Sequence, residues 1–554
     1  MRFPPASRAA VALLLLSSLI LGLAQAALLP PFEGFDEHGH YSYIQQVAET
    51  GHWPRLNERM SKDVDDYLAR GPGPDSIPRQ WSHHDFFQAP AGVVAAARDA
   101  IQSPRAGPRG WTPGQIENWQ AQHPPLYYYL AAPVYRATKS LSFAGQLFAL
   151  RAFSYLIAWI GLCITAVAAL RGGIPERAAL PLMFAIAAWP LIFPMWFPEM
   201  ARLGNDSLVT VFAALLSVLA WRVSTAGEPR HYLMLGVVLG LALLTKATFL
   251  PVTAAILLTL GVQALLPGGS GRRRNRIIGV CSAAALTLGI CGWWYLHKLL
   301  ETGSLIGSSD VIRMHAAGGL IAGLMKNSSP TDFFVIMPWT FAVTFLWTGS
   351  WSFVVPPRTS LLPLVALALA IGYGAYRSLR RRGVHPVDAF VLLTAALFLG
   401  ALTYHSAVAL SSASGTSPAW YLHSLAPILA LLVGYGLCEL MRLAWFRLPL
   451  AALMLYPLAF LPAMMLMNVL YFAGCAPKLP GRLYFALSRA GACIADYSRM
   501  YENLSVIALP GYGLALFVLG WTIAAVAMVL AIRSLGRIPV GNNRDARSTG
   551  AVTA

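Results

Sequence analysis

Apolar residues run in long, nearly uncharged stretches that alternate with polar connections over most of the chain. Several stretches hold about 18 or more such residues, enough for a helix to cross roughly 30 Å of hydrocarbon. The apolar residues are continuous instead of alternating, which disfavours a β-barrel. The pattern predicts an all-α polytopic membrane protein with about twelve transmembrane helices, near residues 9–29, 146–170, 178–197, 207–224, 231–246, 248–267, 277–296, 359–377, 386–404, 419–441, 449–472 and 511–533.

Basic residues indicate which connections face the cytoplasm. They lie in every second connection and at both ends, as the positive-inside rule requires. The residues concerned are Arg2, Arg8, Arg171, Arg177, Arg222, Arg230, Arg442 and Arg447, with "RRRNR" at 272–276, "RSLRRRG" at 377–383 and the tail from 533. We therefore predict an integral, multi-pass membrane protein with its N and C termini in the cytoplasm.

Composition supports this interpretation of the charge. The 554 residues are 56% hydrophobic and 12% charged, against roughly 25% charged in soluble proteins, which excludes an ordinary soluble domain. A net charge of +17 is also typical of nucleic-acid binding, but here the arginines lie where the topology places them. We predict membrane lipid, and no nucleic acid, as a partner.

The other face receives the long connections, at residues 30–145, 297–358, 405–418 and 473–510. The first holds twelve of the 24 acidic residues, and a loop of that length is uncommon unless it is functional or disordered. Function is therefore expected on the exported side. Residues 1–540 are predicted to form one transmembrane domain, and residues 541–554 a disordered cytoplasmic tail.

Two apolar segments allow more than one interpretation. "LAQAALLP" at 23–30 resembles a signal-peptide cleavage site, but the run from Ala9 to Leu29 is long for a signal core and favours a retained span. Residues 332–358 are apolar enough to span, yet a span there would move 377–383 to the exported side. A re-entrant or interfacial helix is predicted there instead.

The first long loop opens with candidate chemistry, in "FDEHGHYSYIQQVAETGHWP" at 35–54. Asp36 can cap a helix running to about Thr50, which Gly51 and Pro54 would end. The helix has an apolar stripe suited to lying flat on the membrane. The simpler interpretation gives Asp36 only this capping role and gives Glu37 only a favourable place at the helix N-terminus.

Further ionisable residues lie close to the predicted hydrocarbon. "WFPEMARLGNDSL" at 196–208 holds Glu199, Arg202 and Asp206, and Lys246 stands almost alone in "LALLTKATFLP". Such groups are costly near lipid unless they are paired or used. For Lys246 the alternative is a lysine that extends its amine to the interface.

Cysteine and histidine carry less information. Cys475 and Cys493 both fall in the last exported loop, so a disulfide between them is a hypothesis for an oxidising compartment. Six histidines lie in the first loop, but none shows a recognised metal-ligand spacing. We therefore predict no metal site from the residues alone.

Several motifs, in this order, resemble the C-type (GT-C) superfamily of membrane glycosyltransferases over roughly residues 9–440. They are "DE" at 36–37, "HPPLYY" at 123–128, "ND" at 205–206, "GLALLTK" at 240–246, "GWWYLHKLLETGSLIG" at 292–307 and "WYLHSLAPILALL" at 420–432. The superfamily includes protein O-mannosyltransferases, lipid A aminoarabinose transferases and many bacterial members. This chain departs from it at His123, where many relatives have lysine, and at Trp420 and Tyr421, where many have Arg-Tyr.

The resemblance implies sugar transfer, usually with inversion, from a polyprenyl-phosphate carrier to a glycan, lipid or protein acceptor outside a bacterial plasma membrane. A lipid phosphate leaves as a stable anion, so one base and a group of cations suffice. Asp36 would be the base and Glu37 its alternate or electrostatic partner. The residues implied in substrate binding are His123 (if protonated), Glu199, Arg202, Asp206, Lys246 and Tyr421. No cofactor is firmly implied, although the resemblance leaves a divalent metal open.

Two rival functions share many of these features. A secondary transporter or lipid flippase would also combine apolar bulk with cations, but transporters tend to place ionisable groups at mid-membrane between two related halves. Here they gather at one face. A glycan ligase or polymerase of related fold would use nearly the same chemistry on a longer acceptor.

Overall fold

The computed structural model describes residues 4–104, 110–171, 176–266, 270–478 and 490–536, and these residues are mostly helical. The tail predicted at 541–554 lies outside the described residues. In chain order the first helices are α1 (Pro5–Leu28), α2 (Glu37–Thr50), α3 (Lys62–Arg70), α4 (His83–Phe86), α5 (Ala91–Gln102), α6 (Leu126–Ala137), α7 (Phe143–Leu170), α8 (Glu176–Ile192), α9 (Trp196–Met200), α10 (Asp206–Ala226), α11 (Pro229–Leu243) and α12 (Phe249–Leu265).

The second half of the chain continues in the same way. Its helices are α13 (Ser270–Thr302), α14 (Ser309–Ala316), α15 (Leu320–Asn327), α16 (Met337–Leu346), α17 (Leu362–Arg382), α18 (Pro386–Ser411), α19 (Ala426–Met441), α20 (Arg447–Phe472), α21 (Ala490–Ala495), α22 (Tyr497–Ile507) and α23 (Pro510–Gly536). Shorter 3₁₀ or π segments span Trp119–Gln122, Asp332–Ile336, Arg358–Leu361, Ala419–Leu425 and Ala444–Phe446.

All twelve predicted spans fall on helices, and the polytopic helical class is confirmed. Nine helical stretches among the described residues are long and apolar enough to cross a membrane, namely α1, α7, α10, α13, α17, α18, α20, α23 and α19 together with the 3₁₀ segment that precedes it. Three of the shorter apolar helices, α8, α11 and α12, coincide with the other predicted spans. A fourth, Asp332–Leu346, lies in the stretch predicted to be interfacial.

The centre of the helical body is α19, which packs against α8, α10 and α17. Gly434 faces the backbone of Pro181 on α8, and Gly436 faces the backbone of Ile371 on α17. A side chain at either position would overlap those backbones, so glycine allows three apolar helices to approach closely. At the edge, α1 and α23 pack together along their length.

The first long loop folds into a compact cap. Its two short strands, β1 (Arg59–Ser61) and β2 (Pro113–Glu117), pair antiparallel, with Arg59 opposite Glu117 and Ser61 opposite Pro113. Helix α2 ends at Gly51, whose φ of 77° is left-handed, as predicted. Its expected position flat on the membrane is wrong, because residues 37–48 are all buried between α6 and the hairpin.

Aromatic and polar contacts hold α2 in that position. Tyr43 stacks on Tyr128 of α6 with ring centroids 3.5 Å apart, and the backbone N–H of Ser61 donates to Ser42 Oγ at 2.8 Å. The helix therefore has protein partners on both faces.

Near the far end of the chain, Cys475 and Cys493 form a disulfide with their Cα atoms 5.7 Å apart.

Candidate active site

A cavity of about 850 Å³ lies where the connections predicted to be exported meet. The ionisable, aromatic and hydroxyl side chains that line it include Asp36, Trp119, His123, Lys246, Asp310, Arg313, His405 and Tyr421. Its apolar wall comes from α12 and α18, through Leu250, Pro251, Phe398, Ala401 and Leu402. The cavity thus combines a polar end with an apolar side, which lies between two helices of the transmembrane body.

Asp36 presents its carboxylate to this cavity. Its backbone is left-handed, with φ 57°, and its side chain makes no capping hydrogen bond to α2, so the predicted capping role is wrong. Instead Trp119 Nε1 donates to Asp36 Oδ1 at 2.8 Å. Burial raises the pKa of Asp36, while the Trp119 hydrogen bond and the charges of Arg202 and Lys246 oppose the rise. A buried carboxylate that faces a cavity and has a perturbed pKa is a candidate general base.

Lys246 is the buried cation that faces the cavity beside Asp36. Its Nζ donates to Asp206 Oδ1 at 2.8 Å and to Oδ2 at 2.7 Å, and it lies 4.5 Å from the centre of the Tyr421 ring. With 5% of its surface exposed, it is not a lysine extended to the interface. Its ammonium is held in place by one carboxylate and one aromatic face.

Behind Lys246 lies a buried chain of ion pairs. Arg202 donates from Nε to Glu199 Oε2 at 3.0 Å and from Nη2 to Asp206 Oδ2 at 2.9 Å. These three side chains do not line the cavity, but Asp206 holds Lys246 in place. The charges of Arg202 and Asp206 also act on Asp36. Burial raises the pKa of Glu199 to about 7 against the opposing charge of Arg202. Arg202 Nη1 is buried with no hydrogen-bond partner among the described residues.

His123 lines the cavity but is not a cation there. Its ring stacks on His40 with centroids 6.0 Å apart. Burial, reinforced by Lys246, lowers the pKa of His123 to about 3, so the imidazole is neutral near pH 7. The condition for the predicted role of His123 as a substrate-binding cation is therefore not met. A neutral imidazole can bind a substrate only by hydrogen bonding.

Glu37 takes no part in the cavity lining. Both of its oxygens accept hydrogen bonds, from Arg151 Nε at 2.6 Å, from the backbone N–H of Phe32 at 3.0 Å and from that of Leu203 at 3.1 Å. It is fully buried. This arrangement assigns Glu37 to the frame around Asp36 and leaves it no free oxygen to act as an alternate base.

The sequence interpretation missed four residues of this region, Trp119, Asp310, Arg313 and His405. Arg313 donates to Asp310 at 2.7 Å, and both line the cavity with His405 of α18. Arg151, the partner of Glu37, was also missed, and only for this residue did the sequence hold a signal. It is a single arginine inside the predicted span 146–170, where an unpaired charge is costly.

The acidic side chains near the cavity do not fit a divalent metal. Among the residues that the structure describes, no group of three or more His, Cys, Asp or Glu side chains could hold an ion. The oxygens of Glu199 and Asp206 are occupied by Arg202 and Lys246.

The fold and the site define a polytopic helical membrane protein in which the carboxylate of Asp36 and the buried ammonium of Lys246 face a shared cavity. No protein-family model matches the chain, and comparison with curated proteins gives no match. Among solved structures, ArnT from Cupriavidus metallidurans bound to undecaprenyl phosphate is similar at 15% identity and a TM-score of 0.45, over 95% of this chain and 78% of that one.

An archaeal protein is also similar. The Archaeoglobus fulgidus oligosaccharyltransferase in its apo form matches at 13% identity and a TM-score of 0.37, over 98% of this chain and 57% of that one. These likenesses are distant, and the function proposed below rests on the chain's own residues and on its sequence motifs.

Proposed function

We propose that the protein is an integral-membrane glycosyltransferase that moves a sugar from a polyprenyl-phosphate carrier to an acceptor hydroxyl on the exported face. One observation carries the proposal: Asp36 and Lys246 face the same cavity, although 210 positions separate them in the sequence. An acceptor proton and a leaving phosphate need opposite charges within one small space. The sequence motifs resembling the GT-C superfamily contain both residues.

In the proposed reaction, the carrier's phosphate lies at Lys246, with Arg313 as a second cation on the cavity wall. The isoprenoid chain passes along the apolar side formed by α12 and α18. Asp36 takes the proton of the acceptor hydroxyl, whose oxygen forms a bond to the anomeric carbon. The bond from that carbon to the phosphate oxygen breaks, and polyprenyl phosphate leaves as an anion, which needs no acid to protonate it.

Attack from the side opposite the phosphate gives inversion at the anomeric carbon. Asp36 and the two cations act on different atoms of the same transition state, the base on the acceptor proton and the cations on the leaving phosphate. Tyr421 supports Lys246 through its ring face, and neutral His123 is placed to hydrogen-bond to a sugar or a phosphate oxygen.

The central test is Asp36→Asn in purified protein reconstituted into nanodiscs. The variant keeps the shape of the side chain, and asparagine tolerates the left-handed backbone at this position. Release of polyprenyl phosphate from polyprenyl-phosphate hexoses and pentoses should fall by about 10²- to 10⁴-fold, with the folded fraction unchanged.

The matched control is Asp99→Asn, which changes an exposed carboxylate of the same loop and should leave turnover at the wild-type level. Wild-type turnover in Asp36→Asn would remove the assignment of the base. Movement of the intact carrier across sealed vesicles, without release of polyprenyl phosphate, would replace the proposal with a flippase.

A further inference from the structure

The carboxylate of Asp36 is oriented by a single side chain. Its own helix does not restrain it, because Asp36 makes no capping hydrogen bond. Trp119 Nε1 donates to Oδ1 at 2.8 Å, and Oδ2 has no hydrogen-bond partner among the described residues. The distance and angle that this hydrogen bond requires fix the position of Oδ1 and so limit the directions in which Oδ2 can point.

Trp119 is itself held firmly from three directions. It begins the 3₁₀ turn Trp119–Gln122, in which Asn118 Oδ1 accepts from the backbone N–H of Gln120 at 3.1 Å. The backbone N–H of Asn118 donates to Glu58 O at 2.9 Å, which ties the turn to the β-hairpin. The indole ring meets the His38 ring edge-on, with centroids 4.8 Å apart.

A close contact with α2 sets the distance between the turn and Asp36. A Cβ added at Gly39 would lie 2.6 Å from Gln120 Cγ and 3.2 Å from Asn118 Oδ1. Glycine at position 39 therefore lets the turn lie against the first turn of α2, which follows Asp36 directly. The hairpin, the turn and α2 together fix the position of the indole N–H of Trp119.

We propose that Trp119 is the positioning residue of the base, holding Asp36 Oδ1 so that Oδ2 faces the acceptor hydroxyl in the cavity. The inference rests on the proposed function. It adds a second role for the large exported loop, which supplies the orientation of the carboxylate as well as the carboxylate.

A positioning role has consequences that a packing role lacks. The charged groups that act on Asp36 are Arg202, Lys246 and Asp206, and these stay in place when the indole N–H is removed. Burial raises the pKa of Asp36 and the Trp119 hydrogen bond lowers it. Loss of that bond therefore raises the pKa further, and the acidic limb of the rate profile should move to higher pH.

The experiment replaces Trp119 with phenylalanine and, in a second variant, with 3-benzothienylalanine, which keeps the ring shape and lacks the N–H. In nanodiscs with the polyprenyl-phosphate sugar that the wild type turns over, both should lower kcat about tenfold or more. The KM for the carrier should not change, because Lys246 and Arg313 remain. The acidic limb should shift upward in both.

The matched control is Trp111→Phe, in the same loop, since Trp111 does not line the cavity and its Nε1 has no partner among the described residues. Wild-type kcat and pH profile in the benzothienylalanine protein would overturn the inference while leaving the proposed function intact. A wild-type protein that transfers no sugar would overturn the proposed function, and the inference with it.

Discussion

The ionisable residues near the cavity are of two kinds. Some face the cavity, and others hold the cavity-facing residues in place. Asp36, Lys246 and His123 line the cavity, whereas Glu37 is next to Asp36 in sequence and is saturated by Arg151 and two backbone N–H groups. The motif "DE" alone could not separate these roles, because the partner of Glu37 is 114 positions away. These neighbouring carboxylates thus lie in different surroundings, which only the three-dimensional structure reveals.

Glu37→Gln should therefore damage the fold more than the chemistry. The substitution leaves the buried guanidinium of Arg151 without a counter-charge, which typically lowers the free energy of unfolding by about 3 to 5 kcal/mol. Unfolding in mixed micelles, followed by circular dichroism, measures the change. Glu49→Gln is the control, because Glu49 pairs with Lys139 at a more exposed site and should lose about 1 kcal/mol or less. Equal losses in both variants would contradict this role of Glu37.

Lys246→Met should weaken binding of the carrier. The ammonium is the buried cation on the cavity wall, and a hydrogen bond to a charged group contributes about 1.5 to 3 kcal/mol. The KM for the polyprenyl-phosphate sugar should rise about ten- to a hundredfold, while Asp206 keeps Arg202 as its partner. Lys62→Met, at an exposed ion pair of the first loop, serves as the control. An unchanged KM in Lys246→Met would argue against phosphate binding at this residue.

Among the elements, the transmembrane helices and the extent of α2 could be predicted, whereas the packing of the cap could not. A span is set by its own apolar residues, so α7 and α18 fall close to their predicted positions. In contrast, α2 has an apolar stripe that suits both a membrane surface and a protein interior, and only the partners α6 and β1 decide between them. The hairpin and the turn Trp119–Gln122 depend on pairing across more than fifty residues, which no local pattern encodes.

Gly39→Ala tests whether the close contact between α2 and the turn Trp119–Gln122 positions Trp119. The added methyl group would overlap Gln120 Cγ, so the turn must move away from α2 and carry Trp119 away from Asp36. We expect kcat to fall with little change in carrier KM, in the same direction as for Trp119→Phe. Gly92→Ala is the control, since a Cβ there meets nothing within 4 Å and alanine is a good helix former. Wild-type kcat in Gly39→Ala would show that the turn can yield without moving the indole.

For the whole molecule, the alternation of basic connections predicts which face carries the cavity. Its polar lining comes from connections at 30–145, 297–358 and 405–418 and from the turn at Lys246, all on the face predicted to be exported. The structure therefore brings together connections that the sequence assigns to one face, and the exported position of that face stays a prediction. Arg313 and His405 were missed because nothing in their own segments distinguishes a cavity wall from an ordinary surface.

Cysteine labelling tests this orientation. The four unpaired cysteines are first replaced by alanine, and a single cysteine is then placed at Asp99 or at Trp445, both exposed. An impermeant maleimide should label position 99 in intact cells and position 445 only after the membrane is opened. Labelling of both positions in intact cells would contradict the predicted topology.

The apolar side of the cavity lies between α12 and α18, and it would admit a carrier lipid from the bilayer. A molecule entering there travels within the plane of the bilayer, so turnover follows the number of carriers per lipid molecule and not the number per litre. Diluting proteoliposomes with buffer should leave the rate per enzyme unchanged, whereas fusing them with carrier-free vesicles should slow it. In a living cell, such an enzyme would compete for its donor with every other protein that draws on the same two-dimensional pool.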